Sequence, residues 1–345
     1  MRPYEHGGDI YGNPGVTLDF SVNTNPLGLP DQVGHALVAN LDKFARYPDP
    51  QCRDLRTEIA RHESVAEDWI LCGNGAADLI YRLCYAMRPQ KALVCAPTFS
   101  EYERALEQVG CQVEYHYLKK ENLFTLDDKI LKRLTPGLDL LFLCHPNNPT
   151  GRLISPDLIP KILNRAQENE TAVVVDECFL DFAGGETANR YLKERPGLVV
   201  LKAFTKIYSL AGLRLGYLLT SSGILRDKVD AAAQCWSVSV PAQIAGLAAL
   251  SRADWQRQTR RLVVNERNFL TKNLKLLGIR VFPSDANFLL LRFKGQLYEP
   301  LLRKGIMIRR CNNFRGLDEH YYRISVKRRP ENIQLLKALE EIIHG

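Results

Sequence analysis

Three polar residues follow apolar, strand-like runs in the middle of the chain. Asn148 comes shortly after DLLFLCHP, Asp176 ends AVVVD, and Lys206 follows LVVLKAFT. A neutral lysine amine can condense with an aldehyde cofactor. A carboxylate can pair with a protonated ring nitrogen, and an amide can donate a hydrogen bond to a ring phenolate oxygen. Because each residue closes a strand of one apparent sheet, together they predict a site for an aromatic aldehyde cofactor attached to Lys206.

Two further segments indicate a phosphate site. GNGAADLI places a glycine-rich turn at Gly75 before an apolar helical stretch. The first N–H groups of a helix are free to bind an anion. Arg214 adds a fixed positive charge that can contact phosphate oxygens in a bidentate manner. GNG alone is weak evidence, but beside the lysine segment it predicts that the cofactor carries a phosphate group.

Alternating strands and helices must position these residues. The apolar runs are rich in Val and Leu without alternation, which is typical of strands buried on both faces of a parallel sheet. Residues 100–110 and 155–170 have helical periodicity, and the second helix is expected to begin with a cap at Ser155. This order predicts an α/β fold with a mostly parallel central sheet and ligands at the carboxyl ends of its strands. The predicted strands are KALVCAP (91–97), DLLFLCHP (139–146), AVVVDE (172–177) and LVVLKAF (198–204).

The pattern changes near residue 235, where a long helical region begins. Alternating strands and a terminal helix follow it, which predicts a smaller α+β domain. The first forty residues are too rich in turns to form a domain alone, so we assign them to an arm joined to that smaller unit. The expected division is 1–39 for the amino-terminal arm and part of the small domain, 40–235 for the large cofactor-binding domain, and 236–345 for the small carboxyl-terminal domain.

Composition disfavours several classes of protein. A chain of 345 residues is long enough for two domains. The nine cysteines are scattered singly, without C-x-x-C pairs or companion histidines, which indicates reduced thiols and no metal site. The net charge of +7 is dispersed, so we expect a small anionic substrate and no nucleic-acid partner. Without an apolar run suited to a signal peptide or membrane span, we expect a soluble, cytoplasmic protein with no membrane partner.

With these motifs the chain resembles the fold-type I enzymes that use pyridoxal 5'-phosphate (PLP), specifically the histidinol-phosphate aminotransferase branch. The resemblance runs from LDFSVNTNPLGLP through RYPDP, GNGAADLI, APTFSEY, HPNNPTG and the lysine segment to YYRISV. It implies PLP as cofactor, a Schiff base on Lys206, and a homodimer in which Tyr47 reaches in from the partner subunit. The other implied roles are Asp176 at the pyridine nitrogen, Asn148 at the ring hydroxyl oxygen, Phe99 stacked on the ring, and Gly75, Ala76, Ala77, Thr205 and Arg214 at the phosphate.

Three positions depart from the family pattern. Family members often have Ser or Thr where this chain has Ala76 and Ala203, so two hydroxyl contacts to the phosphate are expected to be missing. Relatives with transaminase activity commonly carry Tyr at the position of Phe179. The missing phenol removes a hydrogen bond to the ring oxygen, which would change the pKa of the bound cofactor and the choice of reaction.

Segments near both ends resemble one group within this branch, the threonine-phosphate decarboxylases of cobalamin biosynthesis. They are HGGDIY, NTNPLGLP, DECFLDF and IRRCNNFRGLDEHYYRISVK. The resemblance implies decarboxylation of L-threonine O-3-phosphate to (R)-1-amino-2-propanol O-2-phosphate. It implies that Arg323 binds the substrate carboxylate, that His6 belongs to a closing element, and that Asn25 contacts substrate. We expect Arg309 or Arg310, with His6, to hold the substrate phosphate and so to orient the carboxylate.

Three other functions stay open. A histidinol-phosphate aminotransferase would use the same cofactor residues and would show a half-reaction that depends on a keto acid. A phosphoserine decarboxylase differs only in lacking the substrate methyl group, which nothing in the sequence fixes. A catalytically silent binding protein is disfavoured by the complete set of Asn148, Asp176, Lys206 and Arg214.

Overall fold

A computed structural model describes residues 6–345, so residues 1–5 of the predicted arm lie outside the described part. The strands, in chain order, are β1 (Leu18–Asp19), β2 (Ile70–Gly73), β3 (Lys91–Ala96), β4 (Gln112–Tyr117), β5 (Leu140–Cys144), β6 (Ala172–Asp176), β7 (Leu198–Ala203), β8 (Gly216–Leu219), β9 (Arg280–Val281), β10 (Phe288–Arg292), β11 (Ile306–Met307), β12 (Arg309–Arg310) and β13 (Tyr321–Ser325). The helices are α1 (Asp31–Ala39), α2 (Arg53–Glu63), α3 (Ala76–Met87), α4 (Ser100–Gln108), α5 (Leu158–Glu168), α6 (Leu180–Ala183), α7 (Phe204–Ile207), α8 (Gly223–Ala231), α9 (Val240–Leu250), α10 (Trp255–Leu276), α11 (Tyr298–Arg303) and α12 (Arg329–His344).

Seven strands form the central sheet, in the order β2, β8, β7, β6, β5, β3 and β4. The strands from β7 to β4 are parallel to one another, whereas β8 runs antiparallel to both β7 and β2. The predicted α/β fold with a mostly parallel sheet is confirmed. As a result, the carboxyl ends of β5, β6 and β7 lie side by side at one edge of the sheet.

The unbroken apolar run of β6 follows from helices on both faces of the sheet. Val173 and Val175 pack into one core, to which α2, α5, α9 and α10 contribute. Val174 packs into the opposite core, with α3, α4 and α8. Since successive side chains of a strand point to opposite faces, a strand covered on both sides needs apolar residues at every position.

The helix expected over 155–170 begins later than its sequence suggests. Helix α5 starts at Leu158 with Asp157 as its N-cap, and no side chain caps it. The backbone carbonyl of Ser155, rather than its hydroxyl, accepts the N–H of Leu158. The expected Ser155 cap is therefore wrong, because Pro156 and Asp157 form a turn that separates Ser155 from the helix.

Only one of the three polar residues closes a strand. Asp176 is the last residue of β6, but β5 ends at Cys144 and β7 ends at Ala203. Asn148 lies in the loop after β5, and Lys206 lies in the short helix α7. The expectation that all three residues end strands is therefore wrong for two of them. Strand β5 stops before Asn148 because the prolines of HPNNP have no N–H to donate to a neighbouring strand. Strand β7 stops before Lys206 because the chain turns into α7.

A second sheet, in the order β12, β13, β10 and β9, is antiparallel and packs with α10, α11 and α12 in a separate core. Strand β1 pairs in parallel with β11, which joins the amino-terminal segment to this unit. Helix α9 follows the expected boundary at 235/236 but packs against α1 and α2 beside the central sheet. The division into 1–39, 40–235 and 236–345 stays a prediction.

The cysteines and helices bear on two further expectations. All nine cysteines are free thiols, and Cys235 alone among them is exposed. Within residues 6–345, none of the helices has the length and apolar character that crossing a membrane would require.

Candidate active site

A cavity of about 430 Å³ opens at the carboxyl ends of β5, β6 and β7. Their last residues, Cys144, Asp176 and Ala203, all line it. This is the edge at which open α/β sheets bind their ligands. The cavity brings together eleven of the residues singled out as site residues in the sequence: His6, Ala76, Ala77, Phe99, Asn148, Asp176, Thr205, Lys206, Arg214, Arg309 and Arg323.

Lys206 lines this cavity from α7 and is partly exposed to it. Desolvation lowers the pKa of its amine from 10.5 to about 8. The positive charges of Arg323 and Arg214 add to this lowering, while Asp176 opposes it. The ring of Phe179 lies 5.8 Å from Nζ. A lysine with such a pKa has an appreciable neutral fraction at neutral pH, which is what condensation with an aldehyde requires.

The carboxylate of Asp176 is buried and accepts two hydrogen bonds. The hydroxyl of Tyr102 donates to Oδ2 at 2.6 Å, and the backbone N–H of Cys178 donates to Oδ1 at 2.9 Å. Tyr102 is fully buried and lies in the first turn of α4. Since each carboxylate oxygen has a second acceptor direction, Asp176 can still pair with a protonated ring nitrogen in the cavity.

Arg323 fixes the orientation of the Asn148 amide. Nη1 of Arg323 donates to Oδ1 of Asn148 at 2.5 Å, and Nη2 donates to the backbone oxygen of Ser21 at 2.7 Å. The amide oxygen is therefore occupied, and Nδ2 of Asn148 has no acceptor within residues 6–345. This is the orientation in which the amide can donate to a ring oxygen.

The turn at Gly75 has the geometry of a phosphate cradle. Gly75 has φ +85°, and a Cβ built there would lie 2.7 Å from Nη2 of Arg214, so only glycine fits without displacement. The first N–H groups of α3, on Ala76 and Ala77, have no partner within the helix. Thr205 lines the same cavity. A helix amino terminus with an arginine suits a phosphate, and the nearby carboxylate and lysine suit a pyridine aldehyde, so these residues fit PLP.

Two buried arginines add positive charge to the cavity. Arg309 in β12 pairs across the sheet with Arg323 in β13, and both line the cavity. Nη2 of Arg309 donates to Oδ1 of Asn313 at 2.8 Å, and its guanidinium lies 5.4 Å from the ring centroid of Phe314. Desolvation lowers the pKa of Arg323 to about 10, and the charge of Arg309 contributes. Two guanidinium groups on one side of the cavity give that side a positive potential, so this part of the cavity suits an anionic substrate.

His6 lies beside a carboxylate at the cavity. Its Nε2 is 2.8 Å from Oε1 of Glu101, which also contacts Arg104 at 3.1 Å. Tyr81 donates to the other oxygen of Glu101 at 2.8 Å. Burial alone would raise the pKa of Glu101, but hydrogen bonds from His6 and Tyr81 and the positive charge nearby lower it to about 2. Glu101 is therefore ionised at any working pH and tethers the amino-terminal segment to α4.

Two residues expected at the substrate lie elsewhere. Arg310 is exposed, donates to Oε1 of Glu299 at 2.9 Å, and does not line the cavity, so Arg309 is the better placed of the two arginines. Asn25 is buried, and its Nδ2 donates to the carbonyl of Ile207 at 2.6 Å and to Oγ1 of Thr259 at 2.7 Å. The assignment of Asn25 to substrate is therefore corrected, because its amide is used in holding the end of α7.

Tyr47 also lies outside the cavity of its own chain. It is 79% exposed and stacks on Trp236 with ring centroids 4.4 Å apart. A position away from its own site is compatible with a role at the site of a partner subunit, which stays a prediction.

Comparison with known proteins identifies the family. The profile described as Aminotransferase class I and II matches residues 16–339. This chain belongs to that family.

Threonine-phosphate decarboxylase from Salmonella typhimurium is 39% identical, over 99% of this chain and 97% of that protein. The structure of L-threonine-O-3-phosphate decarboxylase from Porphyromonas gingivalis has a TM-score of 0.85 and 31% identity, covering 95% of this chain and 100% of its own. The structure of the histidinol-phosphate aminotransferase from Clostridium acetobutylicum has a TM-score of 0.89 and 29% identity, covering 95% and 99%.

Family and fold together make this chain a PLP-dependent enzyme of the fold-type I architecture. Its departures from the family pattern lie within the site. Ala76, Ala203 and Phe179 all line the cavity, where they present methyl groups and an unsubstituted ring instead of hydroxyls. A phosphate bound at this turn would therefore depend on the N–H groups of α3, on Thr205 and on Arg214.

Two further residues at the site could not be identified from the sequence. Tyr102 lies three residues after Phe99 in APTFSEY, a spacing that places both on one side of a helical turn, but nothing marked it as a partner of Asp176. Asn23, two residues before Asn25, lines the cavity, and its Oδ1 is buried with no hydrogen-bond partner in the described part of the chain. An orphaned buried amide oxygen of this kind indicates a ligand contact.

Proposed function

We propose that this enzyme decarboxylates L-threonine O-3-phosphate to (R)-1-amino-2-propanol O-2-phosphate in cobalamin biosynthesis. The observation that carries the proposal is the pair of buried arginines, Arg309 and Arg323, beside the lysine in one cavity. A substrate with a carboxylate and a phosphate has two anionic groups, each of which a guanidinium can bind with charge-assisted hydrogen bonds. The similarity to threonine-phosphate decarboxylases over nearly the whole chain supports the same substrate.

Arg323 is the proposed ligand of the substrate carboxylate. Two of its five N–H donors are used by Asn148 and Ser21, and its buried Nε has no partner in residues 6–345. A bidentate hydrogen bond from Arg323 to the carboxylate would stabilise the bound substrate more than a transition state in which the carboxylate loses its charge. The proposal therefore gives Arg323 the task of orientation rather than of rate enhancement by charge alone.

Arg309 and His6 are the proposed ligands of the substrate phosphate. Both line the cavity, Arg309 from β12 and His6 from the amino-terminal segment. Holding the phosphate at one end of the molecule sets which bond at the α-carbon is presented for cleavage. Decarboxylation needs the carboxylate in that position, whereas transamination needs the C–H bond there.

Lys206 would hold PLP until the substrate amine replaces the lysine, and PLP would then supply an electron sink for the electron pair of the bond that is broken. Asp176 is the proposed partner of the ring nitrogen, Asn148 of the ring oxygen, and Phe99 the ring stacked on the cofactor. Lys206 is the proposed acid that returns a proton to the α-carbon, since a pKa of about 8 permits both protonation states near neutral pH.

We further propose a homodimer in the cytoplasm, with Tyr47 of the partner subunit completing the phosphate site. The exposure of Tyr47 and its stacking on Trp236 supply a surface aromatic pair of the kind enriched at interfaces. Boundaries at 39/40 and 235/236 remain part of this proposal.

Histidinol-phosphate aminotransferase is the second candidate. It would use the same cofactor residues, and the Clostridium acetobutylicum structure superposes on this chain as well as the decarboxylase does. Against it stands Phe179, which leaves the cavity without a phenol at the position where the aminotransferases commonly have one. Phosphoserine decarboxylation is a narrower variant of the proposed reaction.

A substrate panel tests the proposal. The PLP-loaded enzyme is incubated separately with threonine phosphate, serine phosphate, and histidinol phosphate plus 2-oxoglutarate, and carbon dioxide and glutamate are measured. We expect carbon dioxide from threonine phosphate at the highest kcat/KM and little glutamate. Brisk glutamate formation from histidinol phosphate without carbon dioxide would establish the second candidate, and a preference for serine phosphate would establish the variant.

A further inference from the structure

The hydrogen bond between Tyr102 and Asp176 joins two elements far apart in sequence, α4 and β6. The phenol oxygen lies 2.6 Å from Oδ2 of Asp176, and both residues are buried. The ring of Tyr102 stacks on Phe142 with centroids 4.8 Å apart and planes 9° apart. It also meets the ring of Phe99 edge to face at 5.6 Å. Packing on two sides therefore fixes the position of the hydroxyl.

We propose that Tyr102 is a positioning residue, whose hydroxyl holds the Asp176 carboxylate in the orientation that pairs with the ring nitrogen of PLP. The inference rests on the PLP assignment and not on the proposed choice of substrate. Neither Tyr102 nor its hydroxyl lines the cavity, so Tyr102 acts through Asp176.

The hydroxyl is a permanent donor. Burial raises the pKa of Tyr102 well above its ordinary value of 10, and the charge of Asp176 raises it further, so the phenol keeps its proton at any working pH. The backbone N–H of Cys178 holds the other oxygen, so the two donors together define how the carboxylate lies.

Tyr102→Phe removes one oxygen atom and keeps the ring packing. Titrating the apoenzyme with PLP in the absence of substrate gives the dissociation constant and the absorption maximum of the bound cofactor. We expect the dissociation constant to rise about fivefold and the absorption maximum to move. With substrate we expect kcat to fall about tenfold or more while KM stays within about twofold, because the lost bond is to a charged group that supports the chemical step.

A double-mutant cycle separates action through Asp176 from a general loss of stability. In an Asp176→Ala background, which removes the acceptor of the Tyr102 hydroxyl, Tyr102→Phe is expected to change the PLP dissociation constant and kcat by less than about twofold. Tyr217→Phe is the matched control, since Tyr217 is buried and donates to Oε1 of Glu63 at 2.6 Å but does not line the cavity. It should lower the unfolding temperature without moving the absorption maximum of the cofactor.

A second variant keeps the proposal open to refutation even if Tyr102→Phe folds poorly. Replacement of Tyr102 by 4-aminophenylalanine keeps the ring and supplies an N–H donor, and PLP affinity and kcat should stay within about threefold of the wild type. Equal losses from Tyr102→Phe in the wild-type and Asp176→Ala backgrounds, or unchanged PLP binding and kcat in Tyr102→Phe, would overturn the proposal. Because the PLP titrations contain no substrate, they succeed or fail independently of the proposed decarboxylation.

Discussion

The lowered pKa of Lys206 predicts how fast the apoenzyme captures its cofactor at each pH. The pKa falls from 10.5 to about 8, chiefly through desolvation. At pH 7 the neutral amine is then about 300-fold more abundant than in an ordinary lysine. The second-order rate of PLP attachment should rise about tenfold per pH unit below pH 7, bend near pH 8, and level off above it.

Rapid mixing of apoenzyme with PLP, followed by absorbance, measures this rate. Parallel reactions with a simple aliphatic amine correct for the titration of free PLP. Arg323→Gln should move the bend to higher pH, because the positive charge of Arg323 is the next contribution after desolvation. Arg310→Gln is the control, since Arg310 is exposed and lies outside the cavity. A rate that climbs without a bend through pH 10, or a bend that Arg323→Gln leaves in place, would refute this account of the pKa.

The same shift affects stability. The pKa of Lys206 is lower in the folded protein than the ordinary value of 10.5, so the folded state binds this proton more weakly than the unfolded state. Lys206 therefore lowers the free energy of unfolding below about pH 8, and this destabilising contribution shrinks as pH rises toward 10.5. Apo Lys206→Met should therefore unfold at a higher temperature than the apo wild type at pH 7, and the difference should shrink toward pH 10.

Three further predictions concern the anion sites and the dimer. Arg309→Gln should raise KM for threonine phosphate about tenfold or more, because charge-assisted contacts to phosphate are strong. The control, Arg310→Gln, should change this KM less than about twofold. Equal effects of the two variants in steady-state assays would place the phosphate elsewhere. Arg214→Met should weaken binding of PLP but not of pyridoxal, which lacks the phosphate, and similar losses in both titrations would contradict the cradle. If Tyr47 acts across subunits, mixing inactive Tyr47→Ala dimers with Lys206→Ala dimers should form hybrid dimers that have one intact site each. The mixture should then recover up to about a quarter of wild-type activity. No recovery after verified subunit exchange would count against a role of Tyr47 in the partner's site.

Local sequence was sufficient for the parts of the site that depend on one segment. The strand β6 could be predicted because both faces of the sheet require apolar residues, which leaves Val173 to Val175 unbroken. The turn before α3 could be predicted because glycine at a helix amino terminus is a local feature, and Gly75 is the N-cap of α3. The start of α5 was misplaced because Ser155 is a favourable cap by residue type, whereas the turn after it moves the first helical N–H groups away.

Contacts between segments that are distant in the sequence could not be predicted from local sequence. Arg309 and Arg310 are equivalent in sequence, and only the strand pairing with β13 determines that Arg309 faces the cavity. Asn25 is a reasonable ligand by type, but its amide is satisfied by Ile207 and Thr259, far along the chain. Tyr102 was missed for the same reason, since its partner is 74 residues away.

The central claim is that this enzyme removes the carboxylate of threonine phosphate and puts a proton in its place. The most direct test is a single reaction in D₂O with threonine phosphate labelled with ¹³C at the carboxyl carbon, followed by NMR and mass spectrometry. We predict one labelled carbon dioxide for each substrate consumed, and aminopropanol phosphate that carries one solvent deuteron at the former α-carbon. Label retained in a keto acid, with the amino group transferred to the cofactor and no carbon dioxide released, would contradict the account.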